Sequence, residues 1–182
     1  MAKAHPFLVN VATVRRSPGV RRFERRHAGI NGLQITGSEV PPGAEVDVDI
    51  VLEAVDGGIV AIGTVTAPWV GECRRCLGTV RSRLDVQVRE LYEPRPEGYE
   101  ASDSVAWEEE TYPLHGDQLD LFPLAKDAIL LNLPAVPLCR EDCAGLCPTC
   151  GADRNDGPCG CLQDVGASPW AALDALRSPD LS

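Results

Sequence analysis

The sequence has few histidines, few aromatic residues and no phosphate-binding glycine loop. Its three histidines, His5, His27 and His115, are scattered and have no acid or nucleophile pattern nearby. Surface positions explain them without catalysis, so we expect no enzymatic activity and no small-molecule substrate. No stretch approaches the roughly 18 uninterrupted apolar residues of a membrane span, and the N-terminus lacks the apolar region of a signal peptide. We therefore expect a cytoplasmic protein with no membrane partner.

Cysteines, in contrast, are plentiful. The eight cysteines fall into four pairs: Cys73 and Cys76, Cys139 and Cys143, Cys147 and Cys150, Cys159 and Cys161. A chain of 182 residues with 44% hydrophobic residues can bury a core without disulfide staples, and a reducing cytosol disfavours disulfides. Two thiolates three positions apart can bind one metal ion, with a glycine allowing the tight turn that follows. This pattern occurs in "CRRCLG" (73–78) and "CPTCG" (147–151), which we name the first and the second knuckle. Paired thiols in this pattern favour metal ligation.

Four pairs of cysteines supply two complete sets of four thiolates. Cys147, Cys150, Cys159 and Cys161 need only the loop "GADRNDGP" to close, and we name them the local set. The long-range set then comprises Cys73, Cys76, Cys139 and Cys143, and would join a turn of the predicted sheet to the exit of the predicted helix. Zinc is the usual metal of tetrahedral thiolate sites, with iron as an alternative. Two zinc ions are expected, both structural because neither set leaves an open ligand position.

A thiol redox protein is the main alternative for these cysteines. A thioredoxin-like motif follows a strand and precedes a helix. Here "CRRC" lies between two predicted strands and "CPTC" between coil and loop, which favours metal over redox chemistry. Four arginines lie close to the cysteines in sequence and are placed to offset the negative charge of the thiolate sites: Arg74, Arg75, Arg140 and Arg154.

The middle of the chain predicts an antiparallel sheet. Residues 44–55 alternate between apolar and acidic side chains, the pattern of a strand with one buried face. Residues 80–92 alternate between apolar and mainly basic side chains, and residues 57–72 are rich in β-branched residues after a glycine-rich turn. We expect these segments to form a three-stranded meander, with edge strands at 20–26 and 32–36.

A helix and a cysteine-rich module are predicted after the sheet. Residues 117–139 carry an apolar stripe that packs on the sheet and ends at prolines; its members are Leu121, Leu124, Ala125, Ala128, Ile129 and Leu131. Residues 93–110 are acidic and proline-rich and predict a loop. Ser168 is placed to cap a short terminal helix. The predicted fold class is α+β: an antiparallel β-meander sheet packed by a helix (residues 1–136), then a zinc-ribbon-like module and the terminal helix (residues 137–182).

Charge is unevenly distributed. The formal net charge is −10, yet residues 1–27, the basic arm, hold seven basic residues against one acid. A local basic segment can steer toward phosphates. The candidate RNA-binding residues are Arg15, Arg16, Arg21, Arg22, Arg25 and Arg26, with Arg74 and Arg75 of the first knuckle. The alternative is that the arm pairs with the acidic body of the same chain. The basic face of 81–89 is likewise compatible with RNA contact or with pairing to the acidic face of 45–53, in which case each ion pair contributes roughly 0.2–1 kcal/mol.

The order of motifs resembles a known family. "CRRCLG", then "LDLFPLAKDAILLNLPAVPLC", then "CREDCAGLCPTCG" and a late "PCGC" are similar to the YceD-like family of bacterial and plastid proteins, over roughly residues 7–177. The family is named for large ribosomal RNA subunit accumulation. The resemblance implies a cytoplasmic, non-enzymatic factor for accumulation or processing of 23S ribosomal RNA and for large-subunit assembly. Some members keep only the upstream knuckle and the pair after the helix, which supports the long-range set.

Two kinds of partner are compatible with these features. An RNA-associated factor would contact ribosomal RNA or the pre-ribosomal large subunit through the basic arm, and its affinity would fall steeply with salt. A protein-binding adaptor would dock a basic ribosomal protein or a processing enzyme on the acidic loop or the acidic sheet face.

Overall fold

The computed structural model describes residues 5–17, 19–94 and 111–161, which form nine strands and two helices. In chain order they are β1 (Leu8–Asn10), α1 (Ala12–Arg16), β2 (Arg21–Gly29), β3 (Gln34–Ile35), β4 (Ser38–Glu39), β5 (Glu45–Val55), β6 (Gly58–Glu72), β7 (Thr79–Pro94), β8 (Tyr112–His115), β9 (Gln118–Asp120) and α2 (Phe122–Asn132). All nine strands belong to one sheet, curled into half a barrel.

The centre of the sheet is the predicted meander of β5, β6 and β7. Strand β5 pairs antiparallel with β6, and β6 pairs antiparallel with β7 along almost its whole length. Val55 pairs with Gly58, so Asp56 and Gly57 form a two-residue hairpin turn. The alternation in β5 is confirmed as one buried face, because four of its apolar side chains are fully buried: Val46, Val48, Ile50 and Leu52.

Strand β6 is long enough to pair with two different strands along the same edge. Its first part pairs with β5 and its last residues pair with β4. Pro68, which has no amide to donate, lies between these two partners. Gly63 lies where the strands approach most closely: a Cβ there would fall 2.0 Å from the carbonyl oxygen of Asp49 and 2.7 Å from the Cα of Ile50. Only glycine fits this part of the curled sheet.

The sheet extends beyond the predicted meander on both sides. Strand β2 pairs antiparallel with β5, which confirms an outer strand near residues 20–26, and β3 covers part of 32–36. On the other side β8 pairs in parallel with β7, followed by β9 and β1. The sheet is therefore not wholly antiparallel. More than a dozen residues separate β7 from β8, enough to return the chain in the same direction.

Helix α2 packs on the buried face of the sheet, as expected, but it is shorter than the predicted segment. Residues 118–120 form β9, and Pro123 lies in the first turn of α2, where proline is tolerated. The buried side chains are Leu124, Ala125, Ala128 and Ile129. Leu131 does not belong to the buried stripe, since 83% of it is exposed. An apolar residue at helical spacing is not necessarily buried when the helix is amphipathic over only three turns.

Two predicted elements fall largely outside the described residues. The segment expected to be a loop, 93–110, begins in the structure as the last two residues of β7, and residues 95–110 are not described. The terminal helix capped by Ser168 also lies outside the described part. Among the residues that are described, neither helix has the length and apolar character needed to cross a membrane.

Candidate metal centres

The first knuckle occupies the turn between the two longest strands. Strand β6 ends at Glu72 and β7 begins at Thr79, so Cys73 and Cys76 are held at the end of a well-paired hairpin. Cys139 and Cys143 follow α2 after a short proline-containing segment. The amide of Arg74 donates to the carbonyl of Pro137 at 2.9 Å, which joins the hairpin end to the exit of α2.

The long-range set comes together in space. The ligand atoms of Cys73, Cys76, Cys139 and Cys143 all lie within 4.8 Å of one another. The Sγ atoms of Cys73 and Cys143 are 3.8 Å apart, and those of Cys76 and Cys139 are 3.7 Å apart. A tetrahedral ion with Zn–S bonds of about 2.3 Å requires sulfur atoms about 3.8 Å apart. The donor chemistry and the spacing therefore fit zinc.

The local set is equally compact. Its four sulfur atoms also lie within 4.8 Å of one another, and together the two groups contain all eight cysteines. The structure thus places the cysteines in the two sets expected from the sequence. Each set can hold one metal ion, and four thiolates around one ion leave no open position for a substrate. A complete zinc-ribbon fold is not established: beside the second knuckle the described residues show only a single bridge, between Leu146 and Asp153.

The two knuckles have the same backbone hydrogen bonds. The amide of Leu77 donates to the carbonyl of Cys73, and the amide of Gly151 donates to the carbonyl of Cys147, both at 2.9 Å. The first cysteine of each pair then donates its own amide to the carbonyl two residues beyond the second cysteine, at 2.8 Å in both knuckles. This repeated pattern is the geometry expected for thiolates that share one ion.

The tight turn of the first knuckle depends on a different residue from the one predicted. We expected Gly78 to have a positive φ, but Leu77 has it instead, with φ of 60°. The equivalent residue of the second knuckle, Gly151, has φ of 73°. Leucine in the left-handed region costs about 1–2 kcal/mol, and the Leu77 side chain is 61% exposed. Burial of this leucine therefore does not offset the strain.

Hydrogen bonds from backbone amides lower the pKa of particular thiols in the metal-free chain. Amide hydrogen bonds from Cys76 and then Cys139 lower the pKa of Cys73 to about 6, and those from Cys150 and Thr149 lower the pKa of Cys147 to about 6. In the long-range set, a hydrogen bond with Cys143 raises the pKa of Cys139 to about 12. In the local set, a hydrogen bond with Cys150 raises the pKa of Cys161 to about 12. Each set thus holds at least one thiol whose pKa is lowered, which favours the thiolate form that binds metal.

Comparison with known proteins identifies the family. Residues 61–177 match the family described as large ribosomal RNA subunit accumulation protein YceD. This chain belongs to the YceD family. The matched region contains all eight cysteines and both knuckles of this family member, whereas the basic arm precedes it.

Relatives of this YceD family member occur in mycobacteria. Uncharacterized proteins of Mycobacterium tuberculosis and Mycobacterium bovis are each 37% identical to it over 97% of this chain and 84% of their own length. An uncharacterized protein of Mycobacterium leprae is 34% identical over 76% of this chain and 62% of its own length. No solved structure was found to match the chain.

The arginines of the basic arm are all engaged with acids of the same chain. Arg21 pairs with Glu53, and Arg25 with Asp49, directly across the β2–β5 ladder. The remaining pairs join Arg15 and Arg16 to Asp117, and Arg22 and Arg26 to Glu24. Across the central sheet, Arg83 also reaches Asp47 at 3.3 Å. The alternative in which the arm pairs with the acidic body describes Arg15, Arg16, Arg21 and Arg25, whereas the other two arginines pair with the single acid of the arm itself.

The knuckle arginines contact backbone more than sulfur. Arg75 Nη1 donates to the carbonyls of Glu141 and Cys143, at 2.9 and 3.0 Å, and its own carbonyl accepts from the amide of Leu146. Arg75 thus fastens the first knuckle to the segment that carries Cys143. Arg74 is exposed and makes no ion pair within the described part of the chain. The role of Arg74, Arg75, Arg140 and Arg154 in offsetting thiolate charge remains a prediction.

One side chain that contacts a candidate ligand was not predicted from the sequence. Asn155 Nδ2 lies 3.3 Å from the Sγ of Cys143, and this hydrogen bond is the largest cause of the lowered pKa of that thiol. Asn155 belongs to the loop between the two cysteine pairs of the local set, yet it contacts the long-range set. The only signal for it in the sequence is the Asp153-x-Asn155 spacing, which is typical of a side chain-to-backbone turn.

Proposed function

We propose that this chain is a non-enzymatic factor for the accumulation or processing of 23S ribosomal RNA and for assembly of the large ribosomal subunit, with one zinc ion in each cysteine set. The observation that carries the proposal is membership of the YceD family over a region that includes every cysteine. The absence of a catalytic histidine pattern in the sequence supports a role without catalysis. The two four-sulfur sets support zinc as a structural element.

The test is a deletion strain with gradient profiling of ribosomal particles. We expect fewer large subunits and a lower ratio of 23S to 16S ribosomal RNA, both restored by the intact chain. Complementation by a Cys139→Ser, Cys150→Ser double variant should be weaker, because both sets would lose a ligand. Normal profiles and normal RNA ratios in the deletion strain would contradict the proposal. Metal analysis of protein purified under reducing conditions should separately give about two zinc ions per chain; zinc-free protein with disulfides would contradict the metal assignment.

A second candidate function is favoured by the ion pairs of the basic arm. Each arginine of the basic arm already has a carboxylate partner in the chain, and the net charge is −10. RNA phosphates would have to displace these carboxylates, whereas a basic protein could dock on the acidic surface without breaking them. The chain would then act in large-subunit assembly as an adaptor for a ribosomal protein or a processing enzyme.

Variants that remove the acid partners of two arginines distinguish RNA binding by the basic arm from the adaptor function. If RNA binds the arm, Asp49→Asn and Glu53→Gln should each raise the affinity for ribosomal RNA, because Arg25 and Arg21 become free for phosphates. Asp56→Asn is the matched control, since it removes the same charge at an exposed turn and keeps a favourable turn residue. Equal affinity in all three variants would exclude the arm as the RNA site. Retention of a basic protein partner after nuclease treatment would then support the adaptor.

A further inference from the structure

We propose that Asn155 couples the two metal sites, so that an ion in either set strengthens binding of an ion in the other. The proposal rests on zinc occupancy of both sets, which is part of the proposed function. Its basis is the position of Asn155: the residue is carried by a loop that the local set closes, while its side chain contacts a ligand of the long-range set.

The loop of Asn155 is fixed at both ends by the local set. Residues 151–158 connect Cys150 to Cys159, so an ion bound there closes a loop of about eight residues. The amide of Arg154 donates to the carbonyl of Gly145 at 2.9 Å, and Leu146 bridges to Asp153. These contacts lay the loop against residues 144–146, the short connection between the two sets. Without an ion in the local set, hydrogen bonds such as these would hold the loop in place, and no covalent or metal link would close it.

The orientation of the Asn155 amide is determined by its neighbours. Oδ1 accepts from Arg140 Nη2 at 2.5 Å and from the backbone amide of Ala144 at 2.8 Å, and both groups can only donate. Nδ2 must therefore point the other way, toward Asp153 Oδ1 at 2.6 Å and Cys143 Sγ at 3.3 Å. Exchanging the oxygen and nitrogen would bring donors against donors and leave the thiolate facing a lone pair. The hydrogen bond from Nδ2 to the sulfur follows from this chemistry.

A hydrogen bond to a ligating thiolate strengthens its site. Donors around metal ligands stabilise the ligand charge and fix its direction, and their removal typically costs 10–100-fold in metal affinity. Asn155 makes this contact only while its loop is ordered, and the local ion orders the loop. An ion in the local set therefore improves the long-range set, and linkage requires the reverse effect to be equal. Two ions should bind with positive cooperativity.

The experiment is stepwise metal titration of the full chain against a competing chelator, with Zn²⁺ as the probe. Cd²⁺-loaded protein, studied by ¹¹³Cd NMR, assigns each ion through coupling to its own cysteines. Asn155→Ala should leave the first ion bound as tightly as before and weaken the second about 10-fold. Asp156→Ala is the matched control and should change neither step. The side chain of Asp156 is exposed in the same loop, and its backbone hydrogen bond to Asp153 is retained in the variant.

Two further variants separate coupling from ordinary structural support. Asn155→Asp keeps the shape and the acceptors but places a carboxylate beside the sulfur, so it should weaken the second ion more than Asn155→Ala does. A purely structural residue would give the opposite order. In a Cys161→Ser background, where the local set lacks a ligand, Asn155→Ala should change the affinity of the long-range set less than twofold.

Several results would overturn the coupling. They are unchanged stepwise affinities in Asn155→Ala, an equal loss with and without a complete local set, or a milder effect of Asn155→Asp than of Asn155→Ala. If the unmodified chain held no zinc, the proposed metal sites themselves would fail, and that result is seen before any variant is made.

Discussion

Loss of one exposed ligand from each set should destabilise the chain unequally. Cys139 belongs to the long-range set and Cys150 to the local set, and both are exposed. Replacement by serine therefore removes a metal ligand in each case without opening a cavity in the core. We expect Cys139→Ser and Cys150→Ser each to lose one of two zinc ions, and Cys139→Ser to be the less stable variant.

The difference follows from the lengths of the loops that the ions close. The long-range set links Cys76 to Cys139 across about 60 residues, and the local set links Cys150 to Cys159 across about eight. A cross-link of each length removes about 4 and about 2.5 kcal/mol of unfolded-state entropy, respectively, in the chain-entropy treatment. The unfolded chain can also still bind an ion through residues 147–161, because the cysteines of the local set are close in sequence. This binding to the unfolded state further reduces the stabilisation that the local ion provides.

Urea and thermal unfolding of zinc-loaded protein measure this difference. A gap of about 1.5 kcal/mol corresponds to a midpoint about 3–6 °C lower for Cys139→Ser than for Cys150→Ser in a chain of this size. Treatment of the unmodified protein with a chelator should lower the midpoint at least as far as Cys139→Ser does. Equal midpoints for the two variants, or a lower one for Cys150→Ser, would refute the view that the long-range set joins the sheet to the helix.

Three other perturbations test particular parts of the structure. Gly63→Ala should destabilise the protein by about 3 kcal/mol or more in urea unfolding, because its Cβ would overlap backbone of β5; a cost below about 1 kcal/mol would contradict the close approach of the strands. Leu77→Gly should raise the unfolding free energy by up to about 1 kcal/mol, since relief of left-handed strain exceeds the added freedom of the unfolded chain; a clear loss would mean that the leucine side chain packs. The pH dependence of zinc release, followed with a colorimetric chelator, should become steeper as the pH falls through about 6, because protons then compete with the metal for the thiolates of Cys73 and Cys147 as well. Release independent of pH between 7 and 5 would contradict thiolate ligation.

The parts of the fold that could be predicted are those with a local periodic signal. The alternation in β5 directly reflects burial, and the knuckles are visible as paired cysteines. Leu131 and β9 were assigned wrongly because the apolar spacing continues past the true ends of α2, and only tertiary packing shows which side chains are covered. Strand β8 could not be placed from the sequence, because nothing local in the chain encodes a parallel pairing with β7.

The distribution of charge shows the same limit. The sequence contains an acidic alternating segment, 45–53, and two basic segments, 21–26 and 81–89, but nothing in these patterns says which strands become neighbours. Two arginines of β2, Arg21 and Arg25, lie opposite acids of β5 and pair with them across one ladder, whereas the other two pair with Glu24 of β2 itself. The predicted pairing of residues 45–53 with 81–89 is limited among the described ion pairs to Asp47 and Arg83, because β6 lies between those strands.

Two nearly identical knuckles serve different purposes in this chain, and the residues that distinguish them carry no motif. Both have the same cysteine spacing and the same backbone hydrogen bonds. One is completed by cysteines beyond a helix, so an ion there would link distant parts of the chain, whereas the other is completed by cysteines about eight residues away, so an ion there would close a local loop. The side-chain amide of Asn155, in the loop of the local set, donates to a sulfur of the long-range set, and this contact comes from the position of the loop and not from a sequence motif. Cysteine spacing therefore identifies the candidate metal sites of this protein, while under the proposed coupling the segments between the cysteines determine whether those sites act independently.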